Sequence, residues 1–597
     1  GWDSLADEAG WPESWRSLVA VIASDPTALA PSTAVGLPDG THDGSPLVLD
    51  GSRLYLRRYW NHEQRVAQAI GRRLAQPSRA PAHVREQLTR LFPHANGDAP
   101  DWQRVACALA ARSPFTVITG GPGTGKTTTV VRLLGLLQTL HRADAARPLR
   151  IRLAAPTGKA AARLQTSIST QIARLDVDEA VRADIPSQVD TLHRLLGARP
   201  DSRRFRHDSA NPLHLDVLVI DEASMIDLEM MSAVLDALPD DARLVLLGDK
   251  DQLSSVEAGA VLGDLCRRAE AGHYSEETAA WLRTTSGDRV DAWVRADAHA
   301  LDQHVAMLRH SHRFGADSGI GMLAQRVNGG DVMQVRQWLG QPHADVAWIN
   351  AASDPARLAE LALDGGARHF AARADAAMPP GYRHYLEWLR RERPPVHAGG
   401  AAFDDWARGV LRAFGGFQLL CALRQGPFGA ESLNRQITAI LHQAGLIDAH
   451  HEWYEGRPVL VTRNDYGLGL MNGDIGIALR VPDEQGVPQL RVAFEVAGDA
   501  HATATRIRFV PPSRLGERET VYAMTVHKSQ GSEFEHAALV LPDAPSALLS
   551  RELLYTAITR ARRWFSLIGP DEIVQSMTAR PTRRYSGLHE RLPILAG

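Results

Sequence analysis

Residues 117–134 read VITGGPGTGKTTTVVRLL. An apolar strand runs into a glycine-rich turn, a lysine and the start of a helix. Gly120, Gly125, Lys126 and Thr127 fit the spacing GxxxxGK[ST], in the strand-before, helix-after context that phosphate binding requires. The turn, from Gly121 through Pro122, Gly123, Thr124 and Gly125 to Thr128, offers backbone N–H groups to an anion at the start of a helix. Lys126 is expected to reach the terminal phosphates and the Thr127 hydroxyl to ligate Mg²⁺.

The pattern around this stretch gives the fold class. FTVIT (115–119), IRLAAP (151–156), LDVLVID (215–221) and ARLVLLGD (242–249) are nearly continuous in apolar residues, and each leads into a turn and a helix. Strands of that kind are buried on both faces, which predicts a parallel sheet in an α/β layer fold. A second α/β region is expected from about residue 300 to 465, resuming near 521. Between them, DIGIALRV, LRVAFEV and TRIRFVP alternate apolar and polar residues, the signature of a small antiparallel barrel. Residues 1–100 read as helical and polar, with an amphipathic helix over 55–75.

Hydrolysis needs carboxylates at a strand end. Asp221 and Glu222 follow LDVLVI, placed to hold Mg²⁺ and to orient or deprotonate the attacking water. Gln252, after the next strand, can sense the terminal phosphate. Gln103, at the entrance to the first sheet, can pair with an adenine edge. Arg313 and Arg560 in the second α/β region are candidate cations for phosphate across a cleft, but on an arginine-rich chain neither carries that role without a family resemblance.

Composition limits the alternatives. At 597 residues the chain exceeds one ordinary core, so three or four domains are expected. Cys107, Cys266 and Cys421 lie far apart without a CxxC, which suits a reducing cytoplasm and excludes a cysteine-ligated metal. No apolar run is long enough to span a bilayer, no signal peptide is visible, and the first residue is Gly, which leaves the natural start open. With a net charge of −3, nucleic acid must be gripped by local basic surface. Of 66 basic residues only Lys126, Lys159, Lys250 and Lys528 are lysines. A compact ammonium and a planar guanidinium are not equivalent at a phosphate, so these four mark positions where a point charge matters.

The order of segments carries a family resemblance. GGPGTGKTTT (120–129), AAPTGKAAARL (154–164), TLHRLLG (191–197), VIDEASMID (219–227), LLGDKDQL (246–253), LRHSHRF (308–314), AMTVHKSQGSEF (523–534) and LLYTAITRARR (553–563) resemble the motif set of superfamily 1 helicases. SPLVLDGSRLYLRRYW (45–60), FRHDSANPLHLDVLVIDEASMID (205–227), LLCALRQGPFGAESLN (419–434) and GRPVLVTRNDYGLGLMNGDIGI (456–477) resemble its RecD branch, the α subunits of bacterial exodeoxyribonuclease V. The resemblance implies an ATP-dependent, 5′→3′ DNA helicase using ATP and Mg²⁺, with RecB-like and RecC-like partner subunits and no nuclease site of its own. It implies two RecA-like domains, at 101–280 (with a pin-like insertion near 198–214) and at 281–465 plus 521–597. An SH3-like insertion over 466–520 and a partner-docking domain over 1–100 complete the arrangement. Gln103, Lys126, Thr127, Asp221, Glu222, Gln252, Arg313 and Arg560 would contact ATP, Mg²⁺ or water. Pro156, Thr157, Lys159, His193, Thr525, His527, Lys528 and Ser529 would line the path of single-stranded DNA.

Three other readings compete. A kinase or DNA-independent ATPase would lack DNA stimulation, a structural subunit would use ATP only as a lock, and a stand-alone RecD2-type helicase would carry a longer N-terminal region. GLGLMNG (467–473) lacks a following helix and reads as a β-turn, and His310, His312, His450 and His451 read as solvated or capping residues without partner ligands.

Overall fold

The four apolar runs after residue 114 all become strands of one sheet. Phe115–Gly120, Ile151–Ala155, Val217–Ile220 and Arg243–Gly248 are joined by two further strands, Val189–Thr191 and Val305–Leu308. The computed structural model describes residues 35–36 and 45–592, except 52, 78–80, 94–98, 146, 200–201, 256, 258, 316, 351–353, 373–376, 466, 497–504, 583 and 585. The sheet order is 305–308, 115–120, 243–248, 217–220, 151–155, 189–191, with every pairing parallel. Helices cover both faces, so residues such as Ile118 and Val219 belong to one apolar cluster and Val117 and Ile220 to another. That two-sided burial is why the runs show no alternation.

A second parallel sheet, ordered 346–349, 561–568, 534–540, 417–421, 523–525, forms the other lobe. A five-stranded antiparallel sheet interrupts it, ordered 506–510, 488–496, 475–482, 458–461, 518–520. Within Pro488–Val496, Val492, Phe494 and Val496 point into that sheet's own core, whereas Ala493 joins the core of the second lobe. The period-2 pattern therefore serves two cores at once.

Three placements differ from the sequence expectations. The first sheet takes in Val305–Leu308, beyond residue 280, because a parallel edge strand is recruited through space and leaves no local mark. The antiparallel sheet starts at Pro458, ahead of residue 466, since Pro458–Val461 is apolar on both faces and reads like a buried parallel strand. Within 1–100, Leu47–Asp50 and Arg53–Leu56 form a β-hairpin, and the helix begins at Arg57. The rest of the expectation for residues 1–34 and 37–44 lies outside the described residues. Ala198–Arg199 and Ser202–Phe205 pair as a short antiparallel ribbon. No helix among the described residues is long and apolar enough to cross a membrane.

Candidate active site and nucleic-acid interface

Local chemistry builds the phosphate loop. Asp101 caps helix Trp102–Arg112 by accepting from Gln103 N (3.0 Å) and Arg104 N (3.2 Å). That start aims the Gln103 amide at the loop, where Nε2 donates to Thr124 O at 3.2 Å. Gly123 and Gly125 have φ of 75° and 84°, the left-handed region that favours glycine. A Cβ at Gly125 would lie 2.2 Å from Gln103 Nε2, and one at Gly123 would lie 2.3 Å from Arg313 Cβ. Lys126 Nζ donates to the carbonyls of Gly120 (2.5 Å) and Gly121 (3.1 Å), folded across the mouth of its own loop. Thr127 and Thr128 line the same cavity, together with Pro122. Thr124 is buried, and its hydroxyl braces the loop through Gly121 O at 2.8 Å.

Asp221 and Glu222 stand at the end of Val217–Ile220, where the chain leaves the sheet. Asp221 Oδ1 accepts from Glu222 N at 2.9 Å, and Glu222 adopts φ 52°. Burial, reinforced by the Glu222 carboxylate, pushes the Asp221 pKa up to about 6. Two adjacent, half-buried acids on the cavity wall beside Lys126 could hold a divalent cation, with Thr127 and Asp221 as candidate ligands. Gln252 is buried and donates to Asp249 Oδ2 at 2.9 Å, an oxygen that also accepts from Tyr555 of the second lobe at 3.0 Å. Asp249 and Tyr555 were missed by sequence reasoning, although both lie within segments it had singled out.

The second lobe closes the cavity. Leu253 N donates to Thr556 Oγ1 (2.9 Å), and Gln530 Nε2 donates to Leu253 O (2.7 Å), so the loop after Arg243–Gly248 is stitched across the cleft. Arg560 is 3% exposed and lines a cavity of about 650 Å³ with Lys126, Asp221, Glu222, Gln252 and Arg313. Burial lowers its pKa, opposed by Glu222 and Glu533. Arg313, expected in the second α/β region, instead follows Val305–Leu308 of the first sheet and is tied to the phosphate loop, because backbone pairing carries that edge strand into the first lobe. Its Nη1 is buried without a hydrogen-bond partner, a donor that suits a phosphate oxygen. Glu533 and Arg163 also face this cavity. Their signal in the sequence was a carboxylate directly after HKSQGS and a cation inside AAARL.

The expected DNA contacts fall into two patches. Thr157 caps helix Gly158–Ile172, accepting from Ala160 N at 3.2 Å, with Pro156 and Lys159 beside it. Gly158 faces Met471 of the antiparallel sheet's loop, and Asp474 of that loop lies near Lys159. His193 is exposed, its ring centroid 5.9 Å from that of Phe205 on the short ribbon. Across the cleft, Thr525, His527 and Lys528 line a groove of about 1020 Å³ with Arg424 and Arg435. Ser529 does not face it: the side chain is fully buried and donates to Val526 O at 2.7 Å. His450 does have neighbours with ligand atoms, contrary to expectation. The turn after helix Ala430–Gln443 brings His442, Asp448 and His450 within 4.8 Å of one another at the surface, a spacing that matches no familiar metal motif.

Residues 103–258 match the AAA domain family, and residues 520–568 match the UvrD-like helicase C-terminal domain. The RecBCD enzyme subunit RecD of Haemophilus influenzae is 35% identical over 564 residues, covering 93% of this chain and 82% of that protein. The RecD subunit of Mycolicibacterium smegmatis is 39% identical over 568 residues, covering 95% and 86%. The chain belongs to the RecD family. As a RecD-family chain it is an ATP-dependent DNA helicase subunit. The ATP-dependent RecD2 DNA helicase of Deinococcus radiodurans is 29% identical over 574 residues, covering 94% of this chain and 63% of that protein.

Proposed function

We propose that the chain is a 5′→3′ single-stranded DNA translocase acting as the RecD subunit of a cytoplasmic RecBCD-type helicase–nuclease in double-strand break repair and recombination. One observation supports this most: Lys126 of the phosphate loop and Arg560 of the other lobe wall a single cavity. In this reading Lys126 and the loop N–H groups hold the phosphates, Gln103 meets the base, and Glu222 orients water. Gln252 senses the terminal phosphate, and Arg313 and Arg560 stabilise charge during transfer. A bound Mg²⁺, held by Thr127 and Asp221, would neutralise charge on the phosphate oxygens. Closing and opening of the cleft shift the Pro156–Lys159 patch relative to the Thr525–Lys528 patch, each taking backbone phosphates without reading bases. The 458–520 sheet serves as an SH3-like insertion, the 198–205 ribbon as a pin, and residues 1–100 as the dock for a RecC-like subunit beside a RecB-like one.

The deciding measurement is unwinding of forked duplexes bearing only a 5′ or only a 3′ tail, with and without RecB-like and RecC-like partners. Unwinding from the 5′ tail alone is expected, and dependence on a 3′ tail would overturn the polarity.

Lys159 gives a pH test. Desolvation pushes its pKa down to about 8, so its charge is present below that pH and lost as pH rises through it. The slope of log affinity for oligo-dT against log salt is therefore expected to shrink by about 0.6 between pH 7 and pH 9, as about four-fifths of a charge is lost. Lys159→Arg should abolish that change, and an identical shrinkage in the arginine variant would remove Lys159 from the DNA path.

A further inference from the structure

Glu533 lies in the wall of the nucleotide cavity, 8% exposed, and carries none of the roles assigned above. Its carboxylate meets three arginines from three parts of the chain. Oε1 accepts from Arg163, on helix Gly158–Ile172, and from Arg313 Nη2 at 2.7 Å. Oε2 accepts from Arg562 Nε at 3.0 Å. Burial alone would raise its pKa, yet Arg163 and Arg313 hold the carboxyl well below the usual range.

The partners belong to different bodies. Arg313 is pinned to the phosphate loop, since His312 N donates to Gly123 O at 2.8 Å and the Ser311 hydroxyl to Pro122 O at 3.0 Å. Arg163 sits one turn along the helix that Thr157 caps and on which Lys159 lies. Glu533 itself precedes strand Phe534–Val540 of the second lobe. One carboxylate thus joins the second lobe to the phosphate loop and to a candidate DNA-contacting turn. A carboxylate set among the cations of a phosphate site competes with phosphate for them.

We infer that Glu533 is a positioning residue that couples the two ligand sites. It holds Arg313 with the same kind of charge that a terminal phosphate offers. Arg313 Nη1, buried and unpartnered, is the donor left for that phosphate. Through Arg163 the same carboxylate ties the Thr157–Lys159 turn to the cleft, so DNA at the turn alters how tightly Arg313 is held.

The inference rests on the ATPase reading of this cleft, and the test separates the two. Steady-state ATPase of the full chain is measured with and without oligo-dT for wild type, Glu533→Gln, Arg163→Gln, Arg163→Lys and the Glu533→Gln/Arg163→Gln double variant. Wild type without turnover would defeat the ATPase reading itself. Given wild-type turnover, Glu533→Gln is expected to lower the DNA-free KM for ATP by about fivefold or more and to compress the DNA stimulation ratio. Arg163→Gln should compress the ratio without lowering KM, Arg163→Lys should restore it, and the double variant should match Glu533→Gln, as one linked unit requires. An unchanged ratio in Glu533→Gln, a raised KM with reduced kcat, or additive effects of the two substitutions would each overturn the coupling role. Matching thermal midpoints across the set exclude a merely structural origin.

Discussion

Arg560→Ala is expected to lower the DNA-stimulated kcat for ATP hydrolysis by about 10³-fold or more, with a much smaller change in KM. The geometry gives the reason. Arg560 Nε donates to Thr556 O at 3.1 Å and Nη1 to Ser532 O at 3.2 Å, so two second-lobe carbonyls fix the guanidinium before any nucleotide arrives. Those carbonyls neutralise no charge, and Arg560 lines the cavity that Lys126 and Glu222 also line. A cation held this way in a water-poor site stabilises charge that develops during transfer without having to reorganise. It contributes little to ground-state binding, which the phosphate loop supplies. Arg560→Lys keeps the charge but loses the second donor of the fork and should fall between wild type and alanine. Because the site is buried, thermal unfolding of both variants must accompany the kinetics. A folded Arg560→Ala protein retaining more than about a tenth of wild-type kcat would show that the second lobe contributes no phosphate-directed cation.

How far such a site was legible follows from the range of the interactions that make it. The phosphate loop was readable because strand, glycine turn, lysine and helix are consecutive, and Gly123 and Gly125 take the positive φ that the motif demands. Asp221 and Glu222 were readable because two acids directly follow a wholly buried strand. Arg560 and Arg313 were named only with the help of family resemblance, since one arginine among many on a biased chain carries no local mark. The contacts of Glu533 with Arg163 and Arg313 span 370 and 220 positions, and no periodicity encodes a pairing of that reach. The same limit applies to the fold. Continuous apolar strands were found, whereas Val189–Thr191, three residues reading VDT, was not. Val305–Leu308 was assigned to the wrong lobe because its partner, Phe115–Gly120, lies far upstream. Ser529 shows the converse error: it sits inside a recognised motif, yet a tight turn spends its hydroxyl on Val526 O.

Glu222→Gln is expected to reduce kcat by about 10²–10⁴-fold while leaving nucleotide affinity nearly unchanged. Glu222 is one of three non-glycine residues with positive φ among the described residues, at 52°. A backbone in that region costs about 1–3 kcal/mol and persists only where the surroundings hold it. Here Asp221 Oδ1 holds it from one side, accepting from Glu222 N, and Met225 N holds it from the other, donating to Glu222 O at 3.0 Å. The strain turns the chain sharply at the strand end and leaves the Glu222 carboxylate on the cavity wall next to Asp221. Glutamine has the same length and can adopt the same turn, so Tm should hold while the proton-accepting oxygen is lost. Fluorescent-nucleotide binding and single-turnover hydrolysis, measured on the same preparation, separate the two effects. A nucleotide that binds and is not cleaved keeps the lobes bridged, so the variant should also release oligo-dT more slowly in the presence of ATP than wild type does. Equal loss of binding and hydrolysis would mean that Glu222 holds the nucleotide or its metal and leaves the attacking water to another group.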